Sequence, residues 1–248
     1  MTVRLTQAKH GRFLVLDNDW YVGRLLLRDG EYSEEEVLLF SRLVGPDDVV
    51  FEAGSNIGAH TVPLAKMAKQ VVAWEPQRHL YHLLCGNLAL NNCHNVSAYP
   101  AALGAAQGHL YPPKLDYDEL FNFGGVPLRR SWSDEVKFEN ADPVVVYTID
   151  QLQVKELKLL KVDVEGMEVD VVNGAKATIV RCRPYLYLED TEEGNQPLYD
   201  LVGSLGYRVI QHHVKLLGPG DDFSQHPDCV IASKNILCIP NELPNPTL

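Results

Sequence analysis

The chain has 248 residues, 46% of them hydrophobic, enough apolar material for one sizeable core. Its 33 acidic residues outnumber 22 basic ones for a formal net charge of −11, which excludes a grip on nucleic-acid phosphates through bulk charge. No run reaches the roughly 18 to 20 apolar residues of a membrane span, and Met1 to Gly11 lacks the apolar core of a signal peptide, so a cytoplasmic location is expected.

The first element follows from Arg12 to Leu27, where two apolar segments flank Asp17-Asn18-Asp19, a turn composition that predicts a hairpin. Ser33 as a cap, Glu34 to Glu36 at the positive end of a dipole, and Val37, Leu38, Phe40, Leu43 and Val44 predict a helix that Gly45-Pro46 stops. An alternation follows: strand Val49 to Glu52, helix His60 to Ala68, strand Val71 to Trp74, helix Arg78 to Asn91 and strand Val96 to Leu103. It resumes after the long segment 104–147 with strand Leu159 to Val164, helix Val169 to Val180, strand Tyr185 to Leu188 and helix Pro197 to Leu205. Strands Arg208 to Gln211 and Cys229 to Ala232 close the series, joined by a loop and therefore antiparallel. The tail Pro240 to Leu248 predicts an irregular surface segment.

This order implies one α/β domain over residues 1–248, a doubly wound Rossmann-like fold with a mostly parallel seven-stranded sheet and an antiparallel last strand. The five cysteines, Cys85, Cys93, Cys182, Cys229 and Cys238, form no C-x-x-C pair and read as core thiols rather than a disulfide or zinc framework.

The sharpest motif is Phe51-Glu52-Ala53-Gly54-Ser55-Asn56-Ile57-Gly58, where a strand breaks into small residues and opens a helix. Glycine lets a ligand approach the backbone, and the helix start offers unpaired amides to a carboxylate or phosphate. Glu75 ends the second strand about 20 residues later, where an acid can bind ribose hydroxyls, so a nucleoside ligand is expected. A nicotinamide enzyme would show G-x-G-x-x-G, whereas this turn reads Gly54-x-x-x-Gly58 and carries Glu52 and Glu75. Those acids suit an amino-acid ammonium and a ribose better than a pyrophosphate, which favours S-adenosylmethionine.

At this point the sequence resembles the FkbM family of class I methyltransferases, from about Gly30 to about Asp190. The matching pieces are Gly30-Glu31-Tyr32, Glu52 to Gly58 with Thr61, Glu75-Pro76, Asn87 with Asn91-Asn92, Thr148-Ile149-Asp150, and Lys161-Val-Asp163-Val-Glu165-Gly166-x-Glu168. The family commonly has aspartate at the position of Glu52 and alanine at that of Ser55. The resemblance implies that Gly54, Asn56 and Gly58 line the methionine part of S-adenosylmethionine, that Glu75 holds the ribose, and that Pro100 and Ala101 lie beside the adenine. Tyr32, Glu52, Thr61 and Asp163 join the expected cofactor contacts, with S-adenosylhomocysteine as the product.

Asp163 and Glu165 end the fourth strand, where ligands sit in doubly wound sheets, and are the expected catalytic pair. Their spacing puts both on one side if the strand persists, converging on an acceptor group. Glu168 reads as a helix-dipole complement. A magnesium ion on the pair lacks a clear third ligand, so no metal is assigned. Residues 104–147 hold Tyr111, Tyr117, Phe121, Phe123, Trp132, Phe138 and Tyr147, a composition suited to an acceptor lid. His212-His213 through Asp228, with Asp221, Asp222 and His226, reads as a solvated loop.

The expected activity is O-methylation of a small molecule, sugar or glycan, with N-methylation of a peptide or natural product as the alternative. A nicotinamide oxidoreductase and a non-catalytic nucleoside-binding module stay open as other classes. The expected partners are that acceptor alone, without nucleic acid or a membrane span, and a homodimer is left open.

Overall fold

The computed structural model describes residues 2–113, 115–127, 143–190, 195–215 and 232–246. It opens with an antiparallel hairpin, β1 (Val3–Ala8) and β2 (Gly11–Leu16). The hairpin turn is therefore Lys9-His10, not Asp17-Asn18-Asp19. The second apolar segment is a helix, α1 (Val22–Arg28), because Val22, Leu25 and Leu26 recur at helical spacing and are buried together. Asp19 starts that helix instead of turning a strand, its Oδ2 accepting from the Gly23 N–H at 2.5 Å.

Helix α2 (Glu34–Leu43) follows as expected, although the Ser33 side chain makes no capping bond. Ser33 takes a left-handed φ of 46°, and its carbonyl accepts from the amides of Glu36 and Val37. The three acids divide: Glu34 pairs with His10 and Lys9 of the hairpin, while Glu36 turns into the core.

Next come β3 (Val49–Ala53), α3 (Thr61–Met67), β4 (Gln70–Trp74), α4 (Arg78–Leu90) and β5 (Val96–Tyr99). The strand expected to continue to Leu103 breaks at Pro100, which has no N–H for a ladder. Residues Ala101–Leu103 form β6, which pairs with β8 (Val144–Tyr147) and, through it, with β7 (Gly108–Leu110) in a separate three-stranded sheet.

The main series resumes with β9 (Leu159–Val162), α5 (Glu168–Asn173), α6 (Lys176–Cys182), β10 (Tyr185–Glu189), α7 (Gln196–Ser204), β11 (Tyr207–Lys215) and β12 (Ala232–Pro240). The single helix expected from Val169 to Val180 is two, divided at Gly174, where a Cβ would overlap the Gly104 carbonyl. Asp150 caps the second piece by accepting from the amides of Ala177 and Thr178 at 2.9 and 2.7 Å. The last strand lies later than Cys229 to Ala232. Its buried run Ile236 to Ile239 is apolar on both faces, so the strand carries no alternation to mark it. Residues 229–231 fall outside the described part.

The seven-stranded sheet runs β11-β12-β10-β9-β3-β4-β5, with β12 antiparallel to both neighbours and the other pairs parallel. Alternate residues face opposite layers: Phe51, Leu160 and Leu186 pack on α5 to α7, and Val50, Leu159 and Tyr187 on α2 and α3. Cys238 is buried and free, whereas Cys85, Cys93 and Cys182 are free but only partly buried. The tail is irregular yet pinned, with Arg183 paired to Glu242 at 2.6 Å and Arg208 donating to the Leu243 carbonyl.

The sheet order reverses beside β3, and Asn87 on α4 ties that point to the N-terminal hairpin. Fully buried, it accepts from the Leu14 amide at 2.6 Å and donates to the carbonyls of Leu14 and Ile57 at 3.1 and 2.7 Å. Asn91, one turn on, repeats the clasp on Arg12. Replacing Asn87 by Ala orphans buried backbone groups and should lower the unfolding free energy by about 1 to 3 kcal/mol. Urea denaturation checks this, and a change within error would show that water takes over those bonds.

Candidate active site

β3 ends in a turn that only small residues can make. Gly54 sits at φ 80°, Asn56 at 50° and Gly58 at 88°. A Cβ on Gly54 would overlap the Asp163 carbonyl oxygen, so glycine lets the ends of β3 and β9 touch. The amides of Gly54 and Ser55 both donate to the Trp74 carbonyl, at 2.9 and 3.0 Å, which draws the end of β4 into the same place.

Glu75 completes this corner. Its Oε2 accepts from the Asn56 amide and its Oε1 from the Gln77 amide, each at 2.8 Å. Burial pushes its pKa up to about 7 against those two bonds, and the charges of Asp163 and Glu52 add to the rise. Each oxygen keeps a lone pair for a further donor such as a ribose hydroxyl.

The second corner is built on Lys161, which is 2% exposed. Its Nζ lies 3.1 Å from Asp163 Oδ2 and 3.8 Å from Glu52 Oε1. Burial opposes the ammonium, but Asp163, Glu52 and Glu36 outweigh that and raise its pKa. Glu52 also accepts from Thr61 Oγ1 at 2.6 Å, and burial raises its pKa despite Lys161.

The pair Asp163 and Glu165 is brought together differently from the pleated arrangement. The strand stops at Val162, and Glu165 takes a left-handed φ of 54°, so a turn rather than the β repeat aims its side chain. Glu168 holds that turn, its Oε1 accepting from the amides of Val164 and Gly166 at 3.1 and 3.3 Å. Glu189, at the end of β10, adds a third carboxylate to this side.

These groups line one cavity of about 550 Å³ at the carboxyl ends of β3, β4, β9 and β10. Tyr32, Glu52, Gly54, Asn56, Glu75, Ala101, Asp163 and Glu165 are on its wall. Gly58 packs behind it toward Leu84, Thr61 is buried beneath Glu52, and Pro100 is exposed outside it. The insertion supplies Phe121, Asn122 and Val126 to the cavity wall, while Phe123 is buried and stacks on Tyr117 with ring centres 4.8 Å apart. Trp132, Phe138, Asp221, Asp222 and His226 lie outside the described residues. His212 stays on the sheet beside the Tyr187 hydroxyl, away from the cavity wall.

Sequence reasoning gave no role to Lys161, His60 or Glu189, all of which line the cavity. His60 is buried against Tyr32 and Phe40, with burial holding its pKa well below the ordinary value. Glu189 had one readable signal, its place at the carboxyl end of a predicted strand.

Residues 52–209 match the model of the methyltransferase FkbM domain, which spans more than half of the chain. The chain belongs to the FkbM methyltransferase family. Its matched region is an S-adenosylmethionine-dependent methyltransferase domain. The curated protein Methyltransferase 1 of Beauveria bassiana is 28% identical over 147 residues, covering 52% of this chain and 59% of that protein. The crystal structure of methyltransferase FkbM from Methylobacillus flagellatus has the same fold, with TM-score 0.52 at 15% identity over 78% of this chain and 43% of the other. Trm5b from Pyrococcus abyssi superposes with TM-score 0.51 at 12% identity, covering 96% of this chain and 55% of the other. The chain thus spans about two-fifths to three-fifths of the length of these relatives.

Glu75 makes stability depend on pH. Its folded pKa of about 7 exceeds the ordinary 4.5, so between these values the folded state binds more protons and stability falls as pH rises. The loss from this group is of order 3 kcal/mol by pH 8. The ligand-free protein should therefore melt lower at pH 8 than at pH 5, and Glu75→Gln should flatten that fall; scanning calorimetry at both pH values checks it.

Proposed function

We propose that the protein transfers a methyl group from S-adenosylmethionine to a hydroxyl oxygen of a small molecule, sugar or glycan. The whole chain then acts as one methyltransferase domain, with residues 104–147 forming the acceptor side. The observation that carries the reading is the single cavity joining the glycine turn and Glu75 to Asp163 and Glu165.

Gly54, Asn56 and Ala101 would hold the ligand's methionine and adenine ends, and Glu75 its ribose. The cofactor, when bound, would supply an electrophilic methyl carbon, its sulfur keeping the electron pair of the bond given up. Asp163 and Glu165 orient the acceptor hydroxyl and take up its proton as the new oxygen–carbon bond forms. Lys161 holds Asp163 in place, and Phe121, Asn122 and Val126 line the cavity from the insertion. The acidic wall and the net charge of −11 favour a non-nucleic acceptor.

Titration calorimetry with S-adenosylhomocysteine should give binding that Glu75→Ala weakens about tenfold or more, the worth of a charged hydrogen bond. An acceptor screen with radiolabelled S-adenosylmethionine should then find hydroxyl compounds, and Asp163→Asn or Glu165→Gln should cut turnover by about a hundredfold while product binding persists. Label arriving on amines, amides or RNA would replace the O-methyl reading.

A further inference from the structure

The acceptor end of the cavity gathers three carboxyl groups. One carboxylate oxygen from each of Asp163, Glu165 and Glu189 lies within 4.8 Å of the other two. They come from two adjacent parallel strands, β9 and β10, whose register pairs Val162 with Leu188 and so sets Asp163 beside Glu189. Like charges this close repel unless something positive stands between them.

Glu189 supplies the second observation. Its Oε2 is shielded from solvent and has no hydrogen-bond partner among the described residues. Two nearby donors are engaged elsewhere. Lys161 serves Asp163 and Glu52, and Asn235, opposite Glu189 on β12, donates to Glu36 and Ser233. Lys234 lines the cavity as well. A carboxylate oxygen shielded from solvent without a donor is costly, and the same carboxyl group lies beside those of Asp163 and Glu165.

The geometry points to a divalent-cation site formed by Asp163, Glu165 and Glu189, taking a hard ion such as Mg²⁺ or Mn²⁺. Oxygen ligands at about 2.1 to 2.6 Å from such an ion stand up to about 4 to 5 Å apart across it, and the three oxygens here all lie within 4.8 Å of one another. Three carboxylates without sulfur or imidazole select this class of ion over zinc or copper. The remaining coordination positions face the cavity and suit an acceptor with two neighbouring oxygens, such as a diol or a catechol. That use of the ion rests on the O-methyl reading; the site itself does not.

The test is Mn²⁺ binding to the full chain, followed by electron paramagnetic resonance of the free ion, with S-adenosylhomocysteine binding measured by calorimetry on the same samples. One Mn²⁺ per chain should bind with a submillimolar dissociation constant and be displaced by Mg²⁺. Glu189→Gln should weaken it by about tenfold or more while circular dichroism and S-adenosylhomocysteine binding are retained; Asp163→Asn carries the same test if the first variant does not fold. Glu75→Ala should do the reverse, losing S-adenosylhomocysteine and keeping Mn²⁺. No saturable Mn²⁺ binding in a chain that binds S-adenosylhomocysteine would overturn the site and leave the cofactor reading standing, and Mn²⁺ binding indifferent to both variants would overturn it too. Mn²⁺ binding without S-adenosylhomocysteine would support the site and sink the cofactor reading.

Discussion

Removing an ammonium from water costs several kcal/mol unless acids surround it, and the active-site end of this sheet is organised by meeting that condition at Lys161. The side chain rises from β9 between Glu52 of β3 and Asp163 beyond its own strand. Each of those acids would be expensive to bury alone. Together the three groups hold the ends of two central strands in one electrostatic arrangement, and Glu36 reaches it from α2.

The neighbouring corner uses backbone in place of charge. Gly54 lets β3 touch the Asp163 carbonyl, and the amides of Asn56 and Gln77 grip Glu75. A carboxylate held by two amides is fixed in direction while retaining acceptor capacity, which suits it to a diol. Both corners open on the same cavity because the sheet reverses its winding beside β3, leaving the strand ends uncovered. The cavity thus has one corner specified by backbone and another crowded with carboxylates.

Much of the fold was legible because its central strands and helices carry strong local signals. β3, β4, α4 and α7 fall within a residue or so of where apolar runs and turn residues put them. The misread elements fail for identifiable reasons. Pro100 ends a ladder inside an otherwise strand-like run, Gly174 divides a helix because another backbone passes against it, and β12 shows no alternation because both its faces are covered. At the N-terminus, Asp17-Asn18-Asp19 has the composition of either a hairpin turn or a helix start, and only the packing of Val22, Leu25 and Leu26 chooses the second.

By itself the sequence determined the α/β order, the glycine turn and the acid that follows it, since each depends on neighbours along the chain: a φ only glycine tolerates, or an acid at a strand end. Tertiary structure alone decided which charges meet. Glu52, Lys161 and Glu189 are far apart in sequence, and their encounter depends on strand order and on the registers of β9 with β3 and β10. A spacing of two residues suggested Asp163 and Glu165 as a pair, but no local pattern names their third neighbour. Coulomb forces act through space, so the partners of a buried charge follow from the sheet that gathers them.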